Sequence, residues 1–294
     1  MVRVIYDGNL GNNLFQYAFG RLLAMRLNYQ LFADPIPGFP GTHDDICGKT
    51  YSTGRNIILR GQKPDLSFLE DGDPKCEIIL TGYFQRAEYY EPYADEIRTW
   101  LRLDYPLKNT SIKNHDVVIG VRRGRDYIPR HGLPLSYFDD AAHQFTGKTF
   151  HICSDTPSDP FVKYLAKRYS AVVRQSGALD NMAYIARFSN IVISNSTFLW
   201  WAAFLSDAEK IIFPRPFSGF WSSTDPVSKN ISLEVSDSRY IYLECAPYVS
   251  EFIGEILQNQ MNSVVTAAKG AARRMGYKRT ISLGEPAPWT FHED

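Results

Sequence analysis

Charge of either sign is not in excess. The chain carries 32 Lys+Arg against 32 Asp+Glu, a formal net charge of zero. No global field draws it to nucleic acid or to an anionic membrane, so nucleic acid is not an expected partner and any anion site must be local. Cysteine is scarce. Cys47, Cys76, Cys153 and Cys245 stand far apart and form no CxxC pair, which argues against a zinc knuckle or a redox motif and favours a reducing compartment. Long apolar runs are also missing. The longest candidate, "STFLWWAAFL", falls short of the ~18 residues that span a bilayer, so no membrane span is expected. The opening "MVRVIYDG" has no basic segment followed by an apolar one, so no signal peptide is expected and a cytoplasmic location is. In that location the N-x-S/T triplets at Asn109, Asn195 and Asn230 are chance matches. There is no internal repeat and no low-complexity segment.

Aromatic residues, by contrast, are plentiful, at 14%. Sugar faces stack on aromatic rings, which suits a carbohydrate-handling protein. A core rich in aromatics explains the same count equally well. Along the chain, a β-branched run at 2–6 is followed by the turn "DGNLGNN" and by apolar residues at helical spacing from Leu14 to Leu27. A further strand, "YQLFAD", completes a βαβ opening. Residues 35–75 read mainly as loop. A strand is expected at 77–82, then helices around Pro92, then a linker over 105–115. Beyond it strand and helix alternate: "DVVIGV", "PLSYFDDAAHQF", "KTFHICSD", "PFVKYLAKRY", "AVVRQ", "LDNMAYIARFS", "NIVIS", "TFLWWAAFLS" and "EKIIFP". Such alternation predicts an α/β protein with parallel sheets covered by helices. The expected division is a Rossmann-like domain at 1–110, a second at 111–245, and a helix with an irregular tail at 246–294.

In parallel sheets ligands bind at the carboxyl ends of strands. That rule selects four loops. The first holds "RRGRDY", with Arg122, Arg123, Arg125 and Asp126. Arginine forks match phosphate oxygens in pairs, and adjacent arginines leaving a strand point to opposite faces. One then reaches an anion while the other pairs with the protein. A solvated charge cluster is the plainer alternative. The second loop, around Ser194, Asn195, Ser196 and Thr197, precedes an apolar helix. It serves either as its N-cap or as a phosphate site on free N–H groups. Trp200 and Trp201 read as core. The third holds Asp155 and the fourth leads to Asp180. Each carboxylate suits a helix cap or a ribose or base contact. In the N-terminal half, "DGNLGNN" is a glycine turn that departs from GxGxxG, so it is a weak dinucleotide signal.

The order of these segments is more telling than any one of them. "GNLGNNLFQYAFGRLLA", "VIGVRRGRDY", "FHICSD" and "DNMAYIARFSNIVISNSTFLWWAAFL" together resemble the α-1,2-fucosyltransferases of glycosyltransferase family 11, over roughly residues 1–215. The resemblance implies a GT-B fold of two facing Rossmann-like domains. It implies a GDP-β-L-fucose donor substrate, a glycan acceptor, inversion at the sugar carbon and no cofactor or metal. By position, Arg123 would hold the donor pyrophosphate, with Arg122 as its structural neighbour. Ser196, Thr197 and Phe198 would sit by the phosphates, Asp155 and Asp180 by the nucleoside, and Asn12 would face the donor. Asp126 would deprotonate the acceptor hydroxyl or pair with Arg125. No DxD pattern lies near these loops. The chain departs from the family's HxRRGDY by Gly120 in place of histidine and by the extra Arg125, and it has Asn13 where glutamine is usual. A non-catalytic GDP-sugar or glycan-binding protein, and a GT-B transferase using another GDP-sugar, are the alternatives those departures leave.

Overall fold

Among the described residues, the apolar and β-branched runs become ten short strands: β1 (Val2–Val4), β2 (Leu31–Phe32), β3 (Asn56–Leu59), β4 (Glu77–Leu80), β5 (Val117–Val121), β6 (Phe150–Ser154), β7 (Val172–Arg174), β8 (Asn190–Ile193), β9 (Lys210–Arg215) and β10 (Tyr240–Glu244). In the same residues six α-helices accompany them: α1 (Leu10–Leu27), α2 (Ala94–Trp100), α3 (Leu135–His143), α4 (Pro160–Arg168), α5 (Ala178–Ile185) and α6 (Thr197–Phe204). The computed structural model describes residues 1–44, 46–51, 54–107, 116–124, 132–215 and 231–245. All of these belong to one compact unit, Met1–Tyr248. The expected boundary near 110 and the expected tail at 246–294 lie outside the described residues. Among the described residues, no helix is long and apolar enough to cross a membrane.

The strands form two parallel sheets, one ordered β2-β1-β4-β3 and the other β10-β9-β8-β5-β6-β7. Every residue of β5 is buried, as a central strand covered on both faces requires. Both sheets reverse direction beside their first strand. In the smaller, β2 lies on one side of β1 and β4 on the other; in the larger, β6 and β8 flank β5. Two switch points result, outside the carboxyl ends of β1/β4 and of β5/β8, which is where open α/β sheets hold ligands.

Two helices link the sheets. α1 is buried from Leu14 to Arg21 and again at Leu23 and Ala24, and α6 is buried from Leu199 to Phe204. A helix apolar on all sides belongs between layers, not on a surface. The ring of Phe15 lies 4.9 Å from Trp200 and 4.8 Å from Trp201, Tyr90 packs 5.2 Å from Phe15, and Phe204 stacks on Trp200 at 4.6 Å. Trp200 donates its indole N–H to the carbonyl of Leu233 at 2.9 Å, so its one polar atom is satisfied inside the core. Both tryptophans are core residues, as read from the sequence.

The strands expected from apolar runs are present, generally trimmed at their ends. β3 falls in the stretch read mainly as loop, and β10 follows a stretch to which no element was assigned. Both are edge strands, with the weaker alternation of half-exposed positions. α1 begins at Leu10, four residues before the apolar period does. Trp200→Ala should destabilise the protein by about 3–5 kcal/mol, whereas Tyr93→Ala, at a site 46% exposed, should change it by about 0.5 kcal/mol or less. Urea denaturation followed by circular dichroism measures both.

Candidate functional site

Strand β5 ends at Val121 and releases Arg122, Arg123 and Gly124 into the switch point beside β8. Ser194, just past β8, ties the two strand ends together. Its Oγ accepts the backbone N–H of Arg122 at 2.8 Å and donates to the carbonyl of Gly120 at 3.0 Å. Ser194 therefore spends its hydroxyl on fixing the arginine loop and does not cap α6. Asp155, at the end of β6, holds the same loop from the other side. Its Oδ1 accepts the backbone N–H of Arg123 at 2.8 Å, and its Oδ2 takes the Arg122 guanidinium in an ion pair.

The two arginines meet different surroundings. The Arg122 side chain is 25% exposed and pairs with Asp155. Arg123 is 4% exposed. Its guanidinium lies 4.4 Å from the centre of the Phe161 ring, and its Nε is 3.6 Å from Asp159 Oδ1. Asp159 also caps α4 by accepting the N–H of Phe161 at 2.8 Å, ahead of Pro160 at the first helical position. The helix cap thus doubles as the counter-charge of the buried arginine. Asp159 and Phe161 were not singled out in the sequence, although the Asp-Pro pair at a helix start is a readable cap signal.

A third component arrives from the N-terminal sheet. α1 and α6 run side by side with their first turns in contact. A Cβ added to Gly11 would lie 2.4 Å from the backbone nitrogen of Phe198 and 2.7 Å from Oγ1 of Thr197. Asn12 and Thr197, separated by 185 residues, share a 3.1 Å bond from the threonine hydroxyl to the asparagine Oδ1. The same oxygen accepts Gln85 Nε2 at 3.0 Å. The N-cap residues, Asn9 and Ser196, make no side-chain cap bond, and neither first turn contains an acidic residue. Two helix N-termini therefore converge without an acidic residue in either first turn, a combination that suits an anion.

Of the residues read from the sequence, the structure brings together Asn12, Ser196, Thr197 and Phe198 at the helix junction, and Arg122, Arg123 and Asp155 at the end of β5. Asp180 stands apart, two strands away beyond β7. It accepts Arg174 Nε at 3.1 Å and the hydroxyl of Ser176, while Arg174 lies 4.1 Å from the Tyr184 ring centre. Asp126 and Arg125 lie outside the described residues. Gly120 is explained by packing. A Cβ there would meet Leu199 Cδ2 at 2.5 Å, so a histidine at this position would require the Leu199 side chain to shift.

Gly11→Ala tests the junction. The added methyl meets backbone atoms, which cannot rotate away, so a loss of about 1–3 kcal/mol in stability is expected. Urea denaturation of the variant beside the unaltered protein measures it.

No family model matches the chain, and no curated protein matches it. Solved structures do. An arginine-to-lysine variant of Arabidopsis thaliana FUT1 in complex with GDP aligns at 14% identity over 74% of this chain and 71% of its own, with a TM-score of 0.44. The Escherichia coli ADP-heptose lipopolysaccharide heptosyltransferase II aligns at 11% identity over 91% of this chain and 99% of its own, with a TM-score of 0.38. A family 9 glycosyl transferase from Veillonella parvula aligns at 12% identity over 87% and 88%, with a TM-score of 0.41.

Proposed function

We propose that the chain is a GT-B glycosyltransferase that moves L-fucose from GDP-β-L-fucose to a hydroxyl of a glycan acceptor, with inversion and without a metal. The observation that carries this reading is the meeting of the α1 and α6 N-termini, at Gly11 and Thr197, where both sheets switch direction and where the paired arginines leave β5. Nucleotide-sugar transfer needs such a concentration of positive charge in a chain that has no excess overall. The choice of fucose and of GDP rests on the sequence resemblance.

In this reading the donor diphosphate lies across the first turn of α6. The N–H groups of that turn and the hydroxyl of Ser196 donate to it, while the Thr197 hydroxyl donates to Asn12, which braces the turn from the facing helix. As the bond between sugar and β-phosphate breaks, negative charge collects on the departing phosphate. A guanidinium already held in place stabilises that charge without having to reorganise. Arg123 fills this role, with Arg122 and Asp155 fixing its backbone. β7, whose last residue Arg174 bonds Asp180, lies two strand spacings from β5, roughly 10 Å, a span that suits a nucleoside near Asp180 when the diphosphate is at β5. Asp126 stands as acceptor base or as counter-ion to Arg125.

Gly120 favours a second reading, a GDP-sugar-binding protein without turnover. The family's histidine is glycine here, with Leu199 packed against that position, so whatever the histidine contributes is missing or supplied elsewhere.

Incubation with GDP-fucose and a panel of glycan acceptors is expected to release GDP only when an acceptor is present. GDP binding with no release by any acceptor selects the second reading, and absence of both overturns the proposal. Competition between GDP-fucose and GDP-mannose identifies the sugar. Arg123→Lys keeps the charge but loses the planar fork, and should lower kcat by about 10²-fold or more while weakening GDP binding in the same preparation.

A further inference from the structure

The carboxylates in the larger sheet's site are committed to arginines: Asp155 to Arg122, Asp159 to Arg123 and Asp180 to Arg174. Asp7 is different. It lies three residues past β1, exposed, at the switch point of the smaller sheet. Among the described residues it makes no ion pair. Its side-chain partner is the neutral phenol of Tyr83, which donates to Oδ2 at 2.6 Å. That carboxylate and partial burial push the tyrosine up to about 12, so it remains a donor throughout the neutral range.

The position of Asp7 is rigidly determined. Its backbone N–H donates to Gln16 Oε1 at 3.1 Å, and Gln16 Nε2 donates in turn to the carbonyl of Gly82 at 3.1 Å. The loop after β4 thus supports the site twice. Tyr83 holds Asp7, and two residues on Gln85 holds Asn12, which accepts Thr197 at the start of α6. The carboxylate and the proposed diphosphate site hang on one continuous frame. Beside Asp7, Ile5 is 48% exposed and Asn9 is exposed. An apolar and an amide side chain flanking a carboxylate suit a sugar ring, which has an apolar face and a hydroxyl rim.

We propose that Asp7 is the general base of the transfer and that Tyr83 is its positioning residue. The inference rests on the transferase reading. Asp7 takes the proton of the acceptor hydroxyl as that oxygen bonds to the anomeric carbon. The bond from that carbon to the β-phosphate oxygen breaks, its electron pair leaves with GDP, and no other reactant is required. A base from the smaller sheet approaches on the side opposite the leaving group held by the larger one, as inversion demands. Asp126 is then left with its counter-ion reading.

The test uses the full chain with GDP-fucose and an acceptor that the unaltered protein fucosylates, and follows acceptor-dependent GDP release together with GDP affinity. Asp7→Asn keeps an acceptor for the Tyr83 hydroxyl. It should lower kcat by at least ~10²-fold, the usual worth of a general base, with GDP affinity within about twofold. Asp7→Glu restores a carboxylate and should recover part of the rate. Tyr83→Phe should lower kcat by about tenfold with the donor KM little changed, because the base is present but no longer aimed. Transfer by Asp7→Asn within about threefold of the unaltered rate overturns the base assignment and leaves the transferase reading standing. Failure of the unaltered protein to bind GDP and to transfer overturns both.

Discussion

The contact between the first turns of α1 and α6 is the constraint on which the rest depends. Gly11 meets the backbone of Thr197 and Phe198 so closely that no side chain fits between them. A glycine inside a helix costs roughly 1 kcal/mol relative to alanine, so the close approach must be stabilised by other contacts. The two helix ends also carry partial positive charge and repel each other. What holds them is the aromatic wedge of Phe15, Tyr90, Trp200 and Trp201 one turn further along, together with the shared oxygen of Asn12. Apolar burial keeps two like dipole ends together.

That division of labour explains which parts were legible in the sequence. The parallel sheets were legible because buried strands read as short apolar, largely β-branched runs, and β5 and β8 each carry one. The core role of Trp200 and Trp201 was legible because they sit in the continuous apolar run of α6. The true start of α1 was not. Its first turn, with Gly11, Asn12 and Asn13, is glycine and amide because it faces α6 and the site, so the apolar period begins only at Leu14. The edge strands β3 and β10 escaped because half of their positions face outward and dilute the pattern.

The site was legible as a set of segments but not as a set of bonds. Arg122, Arg123, Asp155, Ser196 and Thr197 could be picked out as polar residues at strand ends. Nothing local says that Ser194 ties β8 to β5 instead of capping α6, since both roles use the same residue in the same turn. The bonds from Gln85 to Asn12 and from Tyr83 to Asp7 span 73 and 76 residues, and neither partner lies in a motif with the other. Gly120 looked in the sequence like a lost histidine. In the fold it is the floor on which Leu199 rests, and the change at one position is matched by packing at another.

Arg123 is where these arguments meet. A guanidinium that is almost fully buried is costly unless its charge is answered, and here Phe161 faces its plane while Asp159 stands beside its Nε. Both residues belong to the first turn of α4 or its cap, so the orientation of the arginine is set by a helix that never needs to move. Asp155 fixes the backbone of the same residue from β6, and Ser194 fixes its neighbour from β8. Three strand ends therefore determine one side chain. A flexible surface arginine would have to lose its side-chain freedom on meeting a diphosphate, whereas one held in this way has already lost it on folding. On the proposed transferase reading, the burial of Arg123 is what prepares it to act on a charge that appears only as the bond breaks.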